Sequence, residues 1–379
     1  MFKTGVLISD EKFISRKNYV SSITSFLNKD KNIVIQSPKR YGKTSLIKNV
    51  FNQNKYKSIY INIKIAKDLK HLADFIIDET YKIFGIDNFL EKSQDSILGT
   101  LKEINAKLNP ELQEIAHLTL EKIEKKNKIN EIEYFLSSID ILNKFAKKEN
   151  INIKLALDEF EDIELFENSI IDKMSLLIRE HKNITYIFLA SIDNIIDNIF
   201  YVKKAPFKKL TEKIELKGFD KKELLDYITN FFNTQNIKLD SSIEDIFNFI
   251  DCNPYYCIKF MKFLYYNELI NKKSQLTQDH YLIALKETFF DNKSYIETIL
   301  NNIKSKKHHY KVIYSLVFNT TKEIGADILY KTLKSLEDMG HVTKLDRADY
   351  KINDIFLELL IKYENNIYNI NFKNELYNN

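Results

Sequence analysis

Residues Ser37 to Thr44 read Ser-Pro-Lys-Arg-Tyr-Gly-Lys-Thr. The spacing is that of a phosphate-binding loop: Gly, four residues, then Gly-Lys-Ser/Thr, with Ser37 in place of the first glycine. Such a loop does anion chemistry. Backbone N–H groups of the turn and of the following helix N-terminus converge on phosphates. Lys43 would place an ammonium near the β- and γ-phosphates, and Thr44 would offer a hydroxyl to Mg²⁺. Gly42 allows the backbone to approach closely. Ser37, Pro38, Lys39, Arg40, Tyr41 and Ser45 complete the candidate cradle. Ser37 carries a cost if its position requires a positive φ. The competing reading is a strand-to-helix loop that merely contains Gly-Lys-Thr. The apolar run before it and the amphipathic run after it favour the phosphate loop.

A second constellation lies far downstream. Ile153 to Glu159 reads Ile-Lys-Leu-Ala-Leu-Asp-Glu. An apolar strand would deliver two adjacent carboxylates to its carboxyl end, where open α/β sheets bind ligands. Asp158 would hold Mg²⁺ through water. Glu159 would orient and polarise an attacking water, as positioned carboxylates do in general-base catalysis. Alone, an Asp-Glu pair at a strand end also suits a helix cap. Together with the loop it becomes the second part of one machine.

The elements that must position these residues follow from pattern. Residues 16 to 28 read as an amphipathic helix. Lys31–Gln36, Ser58–Ile63, Ile153–Leu157 and Thr185–Ala190 are short apolar, β-branched runs that read as buried strands, with a short fifth at Ile214–Leu216. A charge-rich stretch from about Leu69 to Lys148 has apolar residues three and four apart, and Pro110 suits a helix start. Strands alternating with helices predict a parallel sheet covered by helices. After Gly218 the pattern is helical to Lys286, with aromatic pairs such as Phe231-Phe232 and Tyr255-Tyr256 that suit a core. From Tyr310 the order is helix, turn at Thr320-Thr321, helix, Gly340, two short strands and a final helix Phe356–Tyr363, which is the order of a winged helix.

Composition bounds the function classes. The chain has 379 residues, 57 Lys plus Arg against 53 Asp plus Glu, and a formal charge of +4. That balance by itself predicts neither a nucleic-acid nor a membrane partner. Only four basic residues are Arg (Arg16, Arg40, Arg179, Arg347), and only seven residues are Gly, so each that remains is worth reading. No run of about 18 apolar residues occurs, and no signal-peptide pattern opens the chain, so a cytoplasmic protein without a spanning helix is expected. Cys252 and Cys257 match no zinc spacing and read as reduced thiols.

With both motifs in place, the chain resembles the P-loop ATPases of the AAA+/STAND type, especially the archaeal-ATPase group, over nearly its whole length. The family loop Gly/Ser-Pro-Arg-Arg-x-Gly-Lys-Thr-Ser-Leu matches Ser37 to Leu46, and Asp158-Glu159-Phe160 matches its Walker B end. Phe13-Ile14-Ser15-Arg16-Lys17 is similar to the family's Phe-x-Gly-Arg-Glu, which implies Arg16 near the nucleotide base. A surface Arg at a helix start is the alternative. Ser191 falls at the sensor-1 position, implying γ-phosphate sensing, and an N-cap is the alternative. Ala205-Pro206-Phe207-Lys208-Lys209 departs from the family's Ser-Pro-Phe-x-x-Arg. Lys209 brings charge without a bidentate fork. Cys252-Asn253-Pro254 resembles the lid motif Gly-Asn-Pro, implying that Asn253 and Pro254 help couple lid to nucleotide.

The terminal unit gives weak support for DNA. The candidate recognition helix, Ala326–Met339, carries Lys331 and Lys334 against Asp327, Glu337 and Asp338, a net of −1. A helix in a major groove should be net positive. The wing, with Lys344, Arg347 and Lys351 against Asp346 and Asp349, is +1. The basic run Lys304, Lys306, Lys307, His308, His309 and Lys311 reads as a DNA patch or as a solvated linker. A protein-contacting winged helix competes.

The expected architecture is α/β: a RecA-like parallel sheet with flanking helices over residues 1–217, an all-α lid over 218–290, and a winged-helix domain over 291–379. The expected function is ATP binding with Mg²⁺-dependent hydrolysis that drives a conformational switch. Lys43, Thr44, Asp158 and Glu159 carry the chemistry, with a protein or DNA partner and an oligomer both open. The alternatives are a nucleotide-stabilised binding module with little hydrolysis, and a DNA-binding regulator.

Overall fold

A computed structural model describes residues 16–83, 85, 110–167, 169–192, 194–271, 274–346, 349–364 and 366–378. Phe13, Ile14, Ser15 and Arg347 lie outside the described residues. The sheet strands are β1 (Ile33–Gln36), β2 (Ser58–Asn62), β3 (Ile153–Asp158), β4 (Ile184–Ala190) and β5 (Glu212–Glu215), all parallel in the order β2-β3-β4-β1-β5. Their helices are α1 (Lys17–Leu27), α2 (Lys43–Asn54), α3 (Leu69–Ile83), α4 (Pro110–Glu124), α5 (Glu131–Lys148), α6 (Ile170–Glu180) and α7 (Asn194–Phe200). Every residue of β1, β3 and β4 is buried, as continuous apolar runs in a two-face-covered parallel sheet must be.

Alternation along the strands assigns the two faces. Ile33, Ile35, Ala156, Ile187 and Leu189 pack with Leu46, Ile47 and Val50 under α1 and α2. Val34, Leu155, Leu157, Phe188 and Ala190 face the other way, into a larger core with α3, α5 and α6. The strand carboxyl ends align: Gln36 pairs with Ala190, Asp158 with Leu189, and Asn62 with Asp158. β1 has β4 on one side and β5 on the other, so the crevice expected at a topological switch point opens above Gln36.

The second half has one core of its own, running from Leu224 to Phe372. It contains α8 (Lys221–Asn233), β6 (Lys238–Leu239), α9 (Ile243–Phe249), α10 (Pro254–Asn271), β7 (Gln275–Leu276), α11 (Gln278–Ser305), α12 (His309–Val317), α13 (Ala326–Asp338), β8 (Val342–Asp346), β9 (Asp349–Ile352), α14 (Ile355–Lys362) and α15 (Phe372–Asn378). Two expectations need correction. The region to Lys286 is not helical throughout, because β6 and β7 form a two-residue parallel pair. Nor is Phe356–Tyr363 the last helix: α15 follows, and its buried Glu375 accepts hydrogen bonds from Lys362 and Tyr363. α11 is a single 28-residue helix that runs through residues 290 and 291, where a boundary was expected. The stretch from α12 to α14 has the expected order of helix, helix, antiparallel ribbon, helix.

Gly218 marks the junction between halves for a steric reason. A Cβ there would lie 3.0 Å from the Asp251 carbonyl oxygen and 3.1 Å from that of Cys252. Phe219 N–H donates to the same Cys252 carbonyl at 3.0 Å.

Candidate functional site

The loop from Ser37 to Gly42 connects β1 to α2, and its left-handed positions are Arg40 (φ 68°) and Gly42 (φ 84°). Ser37 does not have a positive φ, so the cost anticipated there does not arise. Ser37 is buried, and its N–H donates to the Ala190 carbonyl at 3.3 Å, tying the loop to β4. Gly42 is the N-cap of α2 and supplies no side-chain cap. Nothing lies within 4 Å of where its Cβ would be, so glycine is favoured there by its φ rather than by lack of space. The start of α2 thus keeps amides for an anion.

Lys43 is 6% exposed. Its ammonium donates to the Ser37 carbonyl at 3.1 Å, to Ser37 Oγ at 3.4 Å and to the Pro38 carbonyl at 3.4 Å. Burial lowers its pKa; Glu161, Glu159 and Asp158 act the other way. The ammonium is coiled inside its own loop on neutral oxygens, which leaves its charge available to an anion.

The two motifs meet. Thr44 Oγ1 donates to Asp158 Oδ2 at 2.5 Å across 114 residues of sequence. Tyr60 OH donates to the same oxygen at 2.6 Å, and Glu159 N–H donates to Asp158 Oδ1 at 2.9 Å. Burial, then Asp158, pushes the Tyr60 phenol well up, so it stays a donor. A hydroxyl beside an aimed carboxylate is an all-oxygen donor set of the kind Mg²⁺ takes together with substrate phosphates, so the residues fit that ion. Among the described residues no cluster of three or more His, Cys, Asp or Glu could hold a metal alone.

Glu159 is held left-handed at φ 55°, and its side chain caps nothing, against the cap alternative. Burial first, then Glu161 and Asp158, raises its pKa. Glu161 is a residue that the motif reading missed. It is buried, and both of its carboxylate oxygens accept from Ser191 N–H at 3.2 Å. Its signal was its place two residues past Glu159, on the short 3₁₀ turn Phe160–Leu165. Ser191 itself is buried directly after β4, and its hydroxyl has no partner.

The remaining candidates spread around this centre. Arg40 turns away from the loop: its guanidinium lies 3.3 Å from the Tyr295 ring centroid and 4.4 Å from that of Tyr255. Tyr255 is on α10 and Tyr295 on α11, so the phosphate loop is clasped by the helical half. Asn253 caps α10, accepting from Tyr255 N–H at 3.0 Å, and Pro254 is the first residue of that helix. Cys252 has φ 45°, a conformation glycine favours, where the lid motif has Gly. Arg16 is 5% exposed, which overturns the surface alternative. Its Nη2 donates to the Lys217 carbonyl at 3.0 Å, and its guanidinium sits 4.9 Å over Phe219, at the junction. Burial lowers its pKa to about 10. Ser45 is in the first turn of α2, and Lys39 is exposed. Tyr41 is half-buried, with its phenol pushed up to about 12, chiefly by burial.

A cavity of about 460 Å³ opens beside the loop. Pro38, Lys39, Tyr41, Glu161 and Ser191 line its core side, while Asn253, Lys306 and His341 line the other. His341 is held neutral at ordinary pH, its pKa lowered to about 4 by burial and then by Lys306 and His309. The basic run is partly consumed by packing: Lys304 pairs with Glu364, and His309 Nε2 meets Ser335 Oγ at 2.9 Å. Phe207 is buried among Phe160, Phe188 and Phe200, while Lys208 and Lys209 are exposed.

No family model matches the sequence, and no curated protein matches it. Solved structures do match. The Walker-type ATPase of Pyrococcus abyssi aligns with a TM-score of 0.69 at 15% identity, over 95% of this chain and 99% of that one. The Orc2 protein of Aeropyrum pernix, solved as ADPNP–ADP complexes, aligns with a TM-score of 0.56 at 16% identity, over 94% and 96%. The chain has the fold of the P-loop AAA+ ATPases. Within that AAA+ fold, Ser37–Thr44 occupies the loop after the first strand, Asp158 the end of the third and Ser191 the end of the fourth.

Proposed function

We propose that this chain binds ATP with Mg²⁺ at the carboxyl edge of its sheet and hydrolyses it to drive a conformational switch of the STAND type. The reading rests on the Thr44–Asp158 contact, where two motifs 114 residues apart share one hydrogen bond beside the coiled Lys43. Full-length likeness to a Walker-type ATPase and to a protein solved with ADPNP and ADP supports it.

In this reading Lys43 and the open amides of α2 hold the phosphates. Thr44 and Asp158 would hold Mg²⁺, which when bound screens phosphate charge. Asp158 accepts the Thr44 hydrogen bond, so the hydroxyl's lone pairs point away from the carboxylate. Glu159 accepts a proton from the attacking water. Its raised pKa makes it a better base than an ordinary carboxylate. Ser191, with an unused hydroxyl and a backbone anchored to Glu161, senses the phosphate end. The clasp of Arg40 by Tyr255 and Tyr295 supports coupling of loop to helical half: movement of the loop is felt by α10 and α11. The three-part division, with a core to residue 217, a lid, and a winged helix at the end, belongs to this proposal.

A protein partner is favoured over DNA at the terminal unit by one observation. The candidate recognition helix α13 exposes Ile328 and Tyr330 and carries no net positive charge. The deciding experiment is Glu159→Gln with wild type as control. Turnover should fall by about 100-fold or more with ATP retained on the protein. Equal turnover in both would favour a nucleotide-stabilised binding module that barely hydrolyses.

A further inference from the structure

The Walker-type contact has a third member that neither motif contains. Tyr60 is on β2, where it pairs with Ala156 two positions before the Asn62–Asp158 pair. Positions two apart on a strand share a face, and Tyr60 packs with the α1 and α2 side of the sheet. Thr44 and Lys48 are four apart on α2 and so share one face of that helix. Lys48 Nζ lies 3.8 Å from the Tyr60 ring centroid, and Thr44 bonds Asp158. Tyr60 therefore stands between helix and strand with its ring fixed by Lys48 and its hydroxyl on Asp158.

The carboxylate is saturated on one side. Oδ2 accepts both Thr44 Oγ1 at 2.5 Å and Tyr60 OH at 2.6 Å, while Oδ1 accepts Glu159 N–H at 2.9 Å. A hydroxyl carries one proton and two lone pairs. If Asp158 holds still, Thr44 must aim its proton at Oδ2 and its lone pairs elsewhere. If Asp158 swings, the hydroxyl is free to rotate. Tyr60 is the second donor on that oxygen, and it holds the carboxylate against the swing from its place on β2.

We propose that Tyr60 is a positioning residue for the Mg²⁺ site: it locks Asp158, and through it the lone pairs of Thr44, in the orientation that receives the ion. This rests on the nucleotide reading above. Partners that orient metal ligands from outside the first layer typically change metal affinity 10- to 100-fold when removed. Tyr60→Phe keeps the ring, its stack with Lys48 and the strand, and removes only the hydroxyl.

The test is a titration of Mg²⁺ against a fluorescent ADP analogue bound to the full chain, with binding in EDTA measured in parallel. For Tyr60→Phe, the Mg²⁺ concentration at half-effect should rise about tenfold, with EDTA affinity within about twofold of wild type. Asp158→Asn should show a larger rise in the same titration. A Mg²⁺ midpoint in Tyr60→Phe equal to wild type, with Asp158→Asn shifted, overturns this proposal and leaves the nucleotide reading intact. Loss of EDTA binding in Tyr60→Phe also overturns it, because the role would then be structural. No binding of the analogue by wild type under any condition sinks the nucleotide reading and this proposal with it.

Discussion

Two buried lysines stand at opposite edges of one sheet, and they are handled in opposite ways. Lys154, near the start of β3, is 4% exposed. Its ammonium meets Asp30 Oδ1 at 2.6 Å, the Leu27 carbonyl at 2.8 Å, Asn152 Oδ1 at 2.9 Å and Thr185 Oγ1 at 3.2 Å. A carboxylate and three neutral oxygens leave it nothing more to bind. Lys43, 6% exposed at the carboxyl edge, touches oxygens of its own loop and no carboxylate. The same ion is a closed structural joint at one edge and, in the proposed function, the receptor for an anion at the other. Left-handed residues stand at both edges, Arg40 and Glu159 near Lys43 and Asp30 at Lys154, so the carboxylate partner, not backbone strain, is what separates the two lysines.

The sharpest way to break this contrast is to exchange the losses. Lys43→Ala should weaken ATP binding by about 100-fold, since a charged hydrogen-bonding group is removed from the phosphates, with little change in the unfolding midpoint. Lys154→Met should do the reverse. It removes the ammonium's charged hydrogen bonds to Asp30, the Leu27 carbonyl, Asn152 and Thr185, costing about 3 kcal/mol in urea unfolding, while the folded protein keeps its ATP affinity. If Lys154→Met proved the binding mutant, the assignment of the two edges would be wrong.

A second test uses acid. The Glu159 pKa is raised, and the base must be ionised to work. In the ligand-free chain, kcat/KM should therefore fall as pH drops through a limb lying above the ordinary glutamate range, a limb absent from Glu159→Gln. A pH–kcat/KM profile flat down to that ordinary range would remove Glu159 from the role of base.

The smallest effect is expected at the clasp. Arg40→Ala gives up two cation–π contacts worth about 1 kcal/mol together at a partly exposed site. ATP affinity should change by less than about threefold. The change in protease sensitivity of α10 and α11 on adding nucleotide should be lost. Retention of that change would mean that loop and helical half communicate by another route.

The legible part of this protein is local. A Gly-Lys-Thr after a β-branched run and an Asp-Glu at the end of another are readable because each encodes its own strand end and its own chemistry within ten residues. So are Pro110 at the start of α4 and the helix–helix–ribbon–helix order near the end, because caps and periodicity act over a few turns. The strand order is different. That β4 lies between β1 and β3, bringing Ser191 and Glu161 beside the loop, depends on β4 pairing both with β1, Ile33 opposite Ile187, and with β3, Ile153 opposite Ile184. No spacing rule encodes them. Tyr60 read as one more strand residue until Asp158 and Thr44 were seen to converge on it. Arg40 read as a phosphate ligand, although its geometry sets it between two tyrosines of the other half. The run of Lys and His from Lys304 to Lys311 read as a DNA patch or a solvated linker, and partners at Glu364 and Ser335 absorb part of it. Sequence by itself determined which strand ends bear the candidate residues, because that is written in residue type and neighbour. Which side chains meet there was decided by tertiary structure alone, because hydrogen bonds and burial act over ångströms and take no account of distance along the chain.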